Sequence, residues 1–495
     1  MVIISRVSTR TRRLVVLGTS LSAAVMTLDT TVVNVALPAI GAAFDASLPQ
    51  LQWIVNAYTL VFAALLLTAG SLSDRWGRRR MFLRGMAAFT LASVLCTIAW
   101  DAASLIVFRA LQGVGAACVM GSGLALITEV HEDRPTEERQ KAIGTFTAFG
   151  AAAAAFGPLL GGVMVSLVGW RGIFAVNIIL GVVTVALVRA ARVPPRPHVT
   201  EHRWDPAGAL LAVLMLLSAN YALLAGSVGG WTRPDVLAGL VAAPLLLVAF
   251  VIVEARLGRA AMLDLSLLRI PTFSAALVIS FTSRIATFGL LASLILWLTG
   301  PLGLSPFLTG LILVTQSLVM MFAAGMSTKL AEKLAVRHLI FLGMLLGAAG
   351  LLPAALTVDA NSGWLTILPT VLLLGFGSGL VMPHLMGLAV GVVPPHRAGM
   401  ATGASNTFLP LGTGVGVALH GVILSWVIAS HISDPHRAQQ IAAGRMPDSG
   451  AALDAAREAF AAGMSAVFWV ACAACVLSAV IALVAVRRQD MLVTE

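Results

Sequence analysis

Charge is what this chain has least of: 11% of its 495 residues are Asp, Glu, Lys or Arg, less than half the fraction of about 25% usual in soluble domains. A soluble globular domain is therefore excluded. Cysteine is scarce too, and the four present (Cys96, Cys118, Cys472 and Cys475) lie within apolar runs, where they read as small packing residues. That leaves neither a disulfide framework nor a metal-ligand set. No Gly-x-x-x-x-Gly-Lys-[Ser/Thr] loop is present to cradle the phosphates of ATP, and there is no His-Glu-x-x-His pair or nucleophile elbow. The chain is accordingly expected to be no enzyme and to carry no cofactor and no metal. With no extramembrane stretch large enough for a ligand-binding domain, a receptor is disfavoured as well.

What is present is apolar length, with 59% hydrophobic residues and a mean hydropathy of +0.94. Windows long enough to span a bilayer fall at 14–36, 50–70, 81–99, 103–128, 141–163, 168–189, 206–226, 235–255, 272–298, 306–327, 337–357, 364–390, 399–427 and 462–486. Fourteen helices are predicted. The start, Met1 to Arg13, carries four arginines but runs into a full span without a small-residue cleavage pattern, so no cleavable signal is expected. The net charge of +10 would suit nucleic acid, but its distribution says otherwise. With the N-terminus in the cytoplasm, 25 of the 32 Lys and Arg residues fall in cytoplasmic segments, five in outer loops (Arg171, Arg233, Arg437, Arg445, Arg457) and two in spans. The positive charge is a topology signal that places both termini inside a multi-pass protein of the cell membrane and removes the nucleic-acid reading.

Asp29 is the exception inside the first span. From Leu14 it lies about 22 Å along the helix at 1.5 Å per residue, past the middle of a core about 30 Å thick. An ionised carboxylate at that depth is costly, so it must face protein or a water-filled cavity. Either it carries a proton, or it is bonded to a neighbouring Ser or Thr and never titrates. No other acid in the chain falls so deep.

The segment Gly70 to Arg80 reads as a tight cytoplasmic turn with one acid, Asp74, among Arg75, Arg78, Arg79 and Arg80. Eight helices later, without gaps, Leu330 answers Leu72, Glu332 answers Asp74, Lys333 answers Arg75 and Arg337 answers Arg79. A repeat in the same membrane orientation predicts two parallel halves, the arrangement that supports alternating access. Residues 1–192 are then an N-terminal six-helix bundle. Residues 193–260 are a Pro- and Arg-rich linker with two extra helices, and 261–495 a C-terminal six-helix bundle with an outer loop at 428–461. In the fourth helix, Arg109 either snorkels to the interface or faces inward, followed by Gln112, Gly113 and Gly115. The fifth helix offers Gly157, Gly161 and Gly162 for close packing, and Pro158 for a kink.

With these motifs in order, the chain resembles the major facilitator superfamily, and within it the fourteen-span drug:proton antiporter branch. Gly70 to Arg80, including Gly77, matches the signature loop, and Arg109 with Gln112-Gly113 matches the helix-4 motif. Gly157 to Gly162 matches the antiporter motif, and Asp29 to Ile40 the first-helix motif of the branch. Trp170-Arg171 with Phe174 and Asn177, Leu304-Ser305-Pro306 with Gly310, and Arg397-Ala398-Gly399 extend the likeness along the chain. The resemblance implies a major facilitator fold. It also implies proton coupling at Asp29 with Arg109 beside the cavity, and a latch of Gly70, Asp74, Arg75, Gly77, Arg78 and Arg79 that holds one state. Gly157, Pro158, Gly161 and Gly162 would shape the fifth helix where the halves meet. Ala153 departs from the antiporter motif, which usually has glycine there, and helices 10 and 13 lack a cavity carboxylate.

Arg284 lies mid-span in helix 9, where a lone cation costs at least about 2.5 kcal/mol. Either it pairs with helix carbonyls or Asp29, or it lines a cavity toward an anionic or acceptor-rich substrate. Asn34, Gln112, Gln316 and Asn406 join it as candidate cavity residues. His384 and His420 either titrate or are simply hydrogen-bonded. The outer segment from Ser430 to Ala461, with an Ala-rich helical pattern around Ala451 to Ala462, is expected either as a surface helix over the cavity mouth or only as a connector. The expected function is proton-driven export of small amphipathic compounds such as antibiotics or biocides, by a monomer among membrane lipids. A dedicated exporter or permease for one solute, such as an amino acid, lipid or siderophore, is the alternative.

Overall fold

A computed structural model describes residues 8–191, 193, 205–258, 265–393, 398–487 and 490, which are helical throughout, with no strand among them. The linker from 194 to 204 and Arg397 lie outside the described residues. The helices are α1 (Thr9–Phe44), α2 (Leu48–Trp76), α3 (Arg78–Thr97), α4 (Ala102–Val130), α5 (Thr136–Val168) and α6 (Arg171–Ala190), then α7 (Pro206–Gly229) and α8 (Pro234–Leu257). After a short 3-10 turn come α9 (Pro271–Arg284), a π-helical turn (Ile285–Gly289) and α10 (Leu290–Thr299), which together make one continuous rod. α11 (Pro306–Leu330), α12 (Val336–Thr357), α13 (Trp364–Val390), α14 (Ala398–His431), α15 (Pro435–Ala442) and α16 (Ala451–Ala485) follow. Among the described residues, twelve stretches, with Pro271–Thr299 counted as one, are long and apolar enough to cross a membrane. α2 and α3 stand outside that set. α3 carries Arg78, Arg79, Arg80 and Arg84 in its first two turns, which lowers its hydropathy, although it lies along α4.

Local signals set the boundaries. Ser8 caps α1 by accepting from the Thr11 amide at 3.1 Å, and Asp101 caps α4 by accepting from the Ser104 amide at 2.7 Å. Those contacts with the Ser104 backbone and hydroxyl hold the Asp101 carboxyl below its ordinary range. Proline opens α7, α8, α9 and α11, where its missing amide costs nothing. Between α2 and α3 the chain turns on Gly77 alone, at φ 90°, a conformation that side-chain-bearing residues avoid.

α1 to α6 form one bundle, with α1 against α5 and α6, and α4 against α2 and α3. α9 to α14 and α16 form the second, with α13 against α11 and α12, and α16 against α12 and α14. The α7–α8 hairpin leans on the seam, where α7 touches both α2 and α14 and Asn56 Nδ2 donates to Asn220 Oδ1 at 3.3 Å. α8 turns Leu240, Leu245, Val248 and Ile252 outward, as a helix bathed in lipid would.

The two ends of the molecule differ. Away from Gly77, one apolar core runs unbroken from Val33, Leu37 and Leu51 through Leu294 and Trp297 to Leu424 and Phe468, joining both halves. At the arginine-rich end the core divides. Phe82, Phe89 and Val119 belong to a cluster of the first half, while Phe273, Leu277 and Val381 belong to one of the second. The halves are closed at one end and parted at the other.

Further contacts join the halves at the closed end. The α5 motif has two faces: Gly157 and Gly161 lie against Thr31 and Val32 of α1, whereas Gly162 lies on the backbone carbonyl of Pro306 in α11. Gly310 of α11 answers by lying on the carbonyl of Pro158, so each helix offers a glycine to the other's proline. Gln52 Nε2 donates to the Val417 carbonyl at 2.8 Å, joining α2 to α14. Arg445 pairs with Asp45 and donates to the Ala46 carbonyl at 3.1 Å, and α15 sinks Ala438, Ile441 and Ala442 into the shared core. The outer segment holds the short α15, and its Ala-rich pattern is the first part of the 35-residue α16. Its alanines Ala456, Ala459 and Ala461 are buried against neighbours, so they pack as part of the last long helix.

Gly162→Val and Gly310→Val should each destabilise the protein by about 1–3 kcal/mol, since the new Cβ meets backbone that cannot step aside. Gly144 has open space where a Cβ would go, so Gly144→Ala should raise stability by about 0.5–1 kcal/mol. Thermal denaturation of the purified variants checks both signs.

Candidate functional site

α1 carries Asp29 into the middle of the first half, where its side chain has no exposure to solvent. Its neighbours in sequence are not its partners. Thr30 and Thr31 donate their hydroxyls to the Met26 and Thr27 carbonyls at 3.0 and 3.1 Å, one turn back along the same helix. The reading in which a neighbouring Ser or Thr satisfies Asp29 is therefore overturned. The partners come from α4 and α6: Arg109 Nη1 donates to Oδ2 at 2.5 Å, Gln112 Nε2 to Oδ1 at 3.1 Å and Asn177 Nδ2 to Oδ1 at 2.7 Å.

Arg109 and Gln112, three residues apart, share one face of α4. Both are at most 1% exposed. Arg109 therefore does not snorkel to the interface: its Nε donates to the Ile54 carbonyl at 3.1 Å and its Nη1 also reaches Gln112 Oε1 at 2.6 Å. The guanidinium lies 4.3 Å from the Tyr58 ring and 5.9 Å from that of Phe174. Gln112 donates onward to Ser93 Oγ at 2.9 Å. Five helices thus meet at one buried ion pair. Three donors converge on Asp29, one on Oδ2 and two on Oδ1, and Arg109 itself has no acceptor to offer.

The other candidate residues lie apart from this cluster. Gln112 belongs to the network and not to an open cavity. Asn34 sits farther along α1, with Nδ2 donating to the Thr30 carbonyl at 2.8 Å and Oδ1 unpartnered. Gln316 and Asn406 are half-buried on α11 and α14 of the second half. Arg284 pairs neither with Asp29 nor with a helix carbonyl. Its Nη2 lies 3.5 Å from Met382 Sδ, its charge lies over the Phe288 ring at 4.2 Å, and its Nε has no partner. His384 Nε2 meets Ser327 Oγ at 2.8 Å. His420 is fully buried, with both ring nitrogens unpartnered.

In the signature loop, Gly70 lies beside Gly121 of α4, and Arg75 is exposed. Arg79 donates to the Val188 and Arg189 carbonyls at 3.3 and 3.0 Å, and Arg78 to the Ala125 carbonyl at 3.1 Å. The side chain of Asp74 lies outside the described residues. Sequence reasoning quoted Asn177 only as part of a motif and missed Tyr58 and Ser93. A lone amide in an otherwise apolar helix was a usable signal for Asn177, and Tyr58 is one of only two tyrosines.

The family model described as Major Facilitator Superfamily matches residues 19–417 and 276–492. Among curated proteins, the chain is 34% identical over 400 residues to a methylenomycin A resistance protein of Bacillus subtilis, covering 80% of this chain and 84% of that one. It is 32% identical over 428 residues to the multidrug resistance protein Stp of Mycobacterium tuberculosis, covering 86% and 78%. Among solved structures, a bacterial homologue of the human lysosomal transporter Spinster superposes with a TM-score of 0.70 at 17% identity, over 99% of this chain and 100% of that one.

The geometry fixes how the pair should respond to mutation. Asp29→Asn leaves Arg109 buried and unmatched, and Arg109→Gln does the same to Asp29, so each should cost about 3–5 kcal/mol. The double variant Asp29→Asn/Arg109→Gln should recover most of one loss, because two neutral amides can still bond to each other. A thermodynamic cycle from melting in detergent measures this coupling, and additive losses would contradict it.

Proposed function

The chain belongs to the major facilitator superfamily, and we propose that within it the protein is a proton-coupled antiporter that exports small amphipathic compounds by alternating access. The reading is supported by relatives named for resistance to methylenomycin A and to multiple drugs. The observation that carries the coupling is the buried Asp29–Arg109 pair with Asn177 and Gln112 around it. With a core closed away from Gly77 and parted at the arginine-rich end, the protein stands open to the cytoplasm, Asp29 is paired with Arg109, and the cleft awaits its load. When the halves rock, the opposite end parts. A proton from outside then takes Arg109's place on Asp29, and its release to the cytoplasm resets the pair. The loop from Gly70 to Arg80 biases this equilibrium only if its contacts differ between states, and in the parted state Arg78 and Arg79 bond within their own half.

α2 and α3 run beside α4 and complete fourteen spans: two six-helix bundles with α7 and α8 between them. The arginine-rich end faces the cytoplasm with both termini, following the bias of positive charge. The protein works as a monomer in the cell membrane.

Two measurements test the proposal. In a host stripped of its own exporters, the protein should raise resistance within a panel that includes methylenomycin A and amphipathic biocides. In proteoliposomes with an imposed pH gradient, adding a compound from the panel that the protein exports should drive proton flux. Asp29→Asn/Arg109→Gln should keep substrate exchange at equal pH while losing that flux. Gradient-driven export by a well-folded double variant would sink the coupling assignment.

A further inference from the structure

On this export reading, we infer that Arg284 receives the carboxylate of the transported compound and that the cleft is built for a small amphipathic monoanion. Along α9 and the π-turn, Pro271, Ser274, Val278, Phe281, Arg284 and Phe288 have exposure, and every residue between them is buried. Spaced by three or four, they form one narrow stripe. α9 is walled by α13, α14 and α16 of its own half, while its continuation α10 packs on α1 of the other. The stripe therefore opens into the space between the halves at the parted end. A lipid-facing helix has a far broader exposed face, as α8 does.

At the centre of the stripe Arg284 is half-buried: its guanidinium lies over Phe288, its Nη2 has only the Met382 thioether, and its Nε is buried without a partner. No carboxylate lies within ion-pair distance of Arg284 among the described residues, and the pair at Asp29 and Arg109 is matched within itself. Among the described residues Arg284 is thus left as a positive charge with no carboxylate to compensate it. The Nε and Nη2 edge is the side of an arginine that takes a carboxylate through two parallel hydrogen bonds, and stacking on an aromatic ring leaves that edge free. Ser378, one turn before Met382 on the same side of α13, has a buried hydroxyl without a partner. Phe281 and Phe288, a turn to either side of Arg284, offer apolar contact to the rest of the molecule. One charge and one fork suit a monoanion, because a dianion would bring a second charge with no partner.

The test is equilibrium dialysis at neutral pH of the full chain in lipid nanodiscs against radiolabelled aromatic acids of increasing size, naphthylacetate among them, each paired with its uncharged carboxamide. The wild type should bind the acids more tightly than the amides by on the order of tenfold or more, the worth of charge-assisted hydrogen bonds. Arg284→Gln should erase the preference and leave the amides unaffected, and Arg284→Lys should keep part of it. No acid preference in the wild type across the set overturns the inference without recourse to any variant. So does an Arg284→Gln protein that loses acid and amide alike. Binding measured in this way needs neither a pH gradient nor vectorial transport. Absent proton-coupled export with the acid preference intact would therefore fail the export reading alone.

Discussion

The ion pair between Asp29 and Arg109 organises the first half of this protein. Two charges without solvent are tolerable only if each is fully satisfied, and satisfying them recruits the Ile54 carbonyl from α2, Ser93 from α3, Gln112 from α4 and Asn177 from α6. Helices that would otherwise slide past one another on apolar surfaces are held in register by these bonds. The first bundle accordingly has the character of a rigid body, and any event that neutralises the carboxylate is felt on five helices at once.

The second half is built on different terms. Among its described residues no carboxylate is buried, and a π-turn lies between α9 and α10. Such a turn carries one residue more than the ladder requires and is frequent at functional sites. Here it separates a stripe open to the cleft from a segment buried in the closed end, so one continuous rod contributes to both. Fixed charge resides in one half, and an unmatched cation beside a local irregularity resides in the other.

Much of this was legible in the sequence, for physical reasons that can be named. Apolar length marked fourteen windows, twelve of which coincide with helices long and apolar enough to cross a membrane, because a bilayer imposes that length, and the burial of Asp29 followed from its place inside one of them. Its partners did not. Arg109 and Asn177 lie 80 and 148 positions away, and no local period encodes which helices will adjoin. The small residues of α5 could be read as a packing face, but not that Gly157 and Gly161 serve α1 while Gly162 serves Pro306. That the Ala-rich run continues into the last span was not legible, because its composition suits a surface helix as well as a continuous one. The helix that does cap the closed end, α15, was announced by Asp434-Pro435, with Asp434 accepting from the amides of His436 and Arg437.

The mutual seating of glycine on proline where α5 meets α11 has a mechanical consequence. From Gly162, α5 runs about 9 Å to its near end and about 39 Å to its far end, at 1.5 Å per residue. The contact is a fulcrum with unequal arms. A tilt about it that shifts the short arm by a small distance would sweep the long arm roughly four times as far.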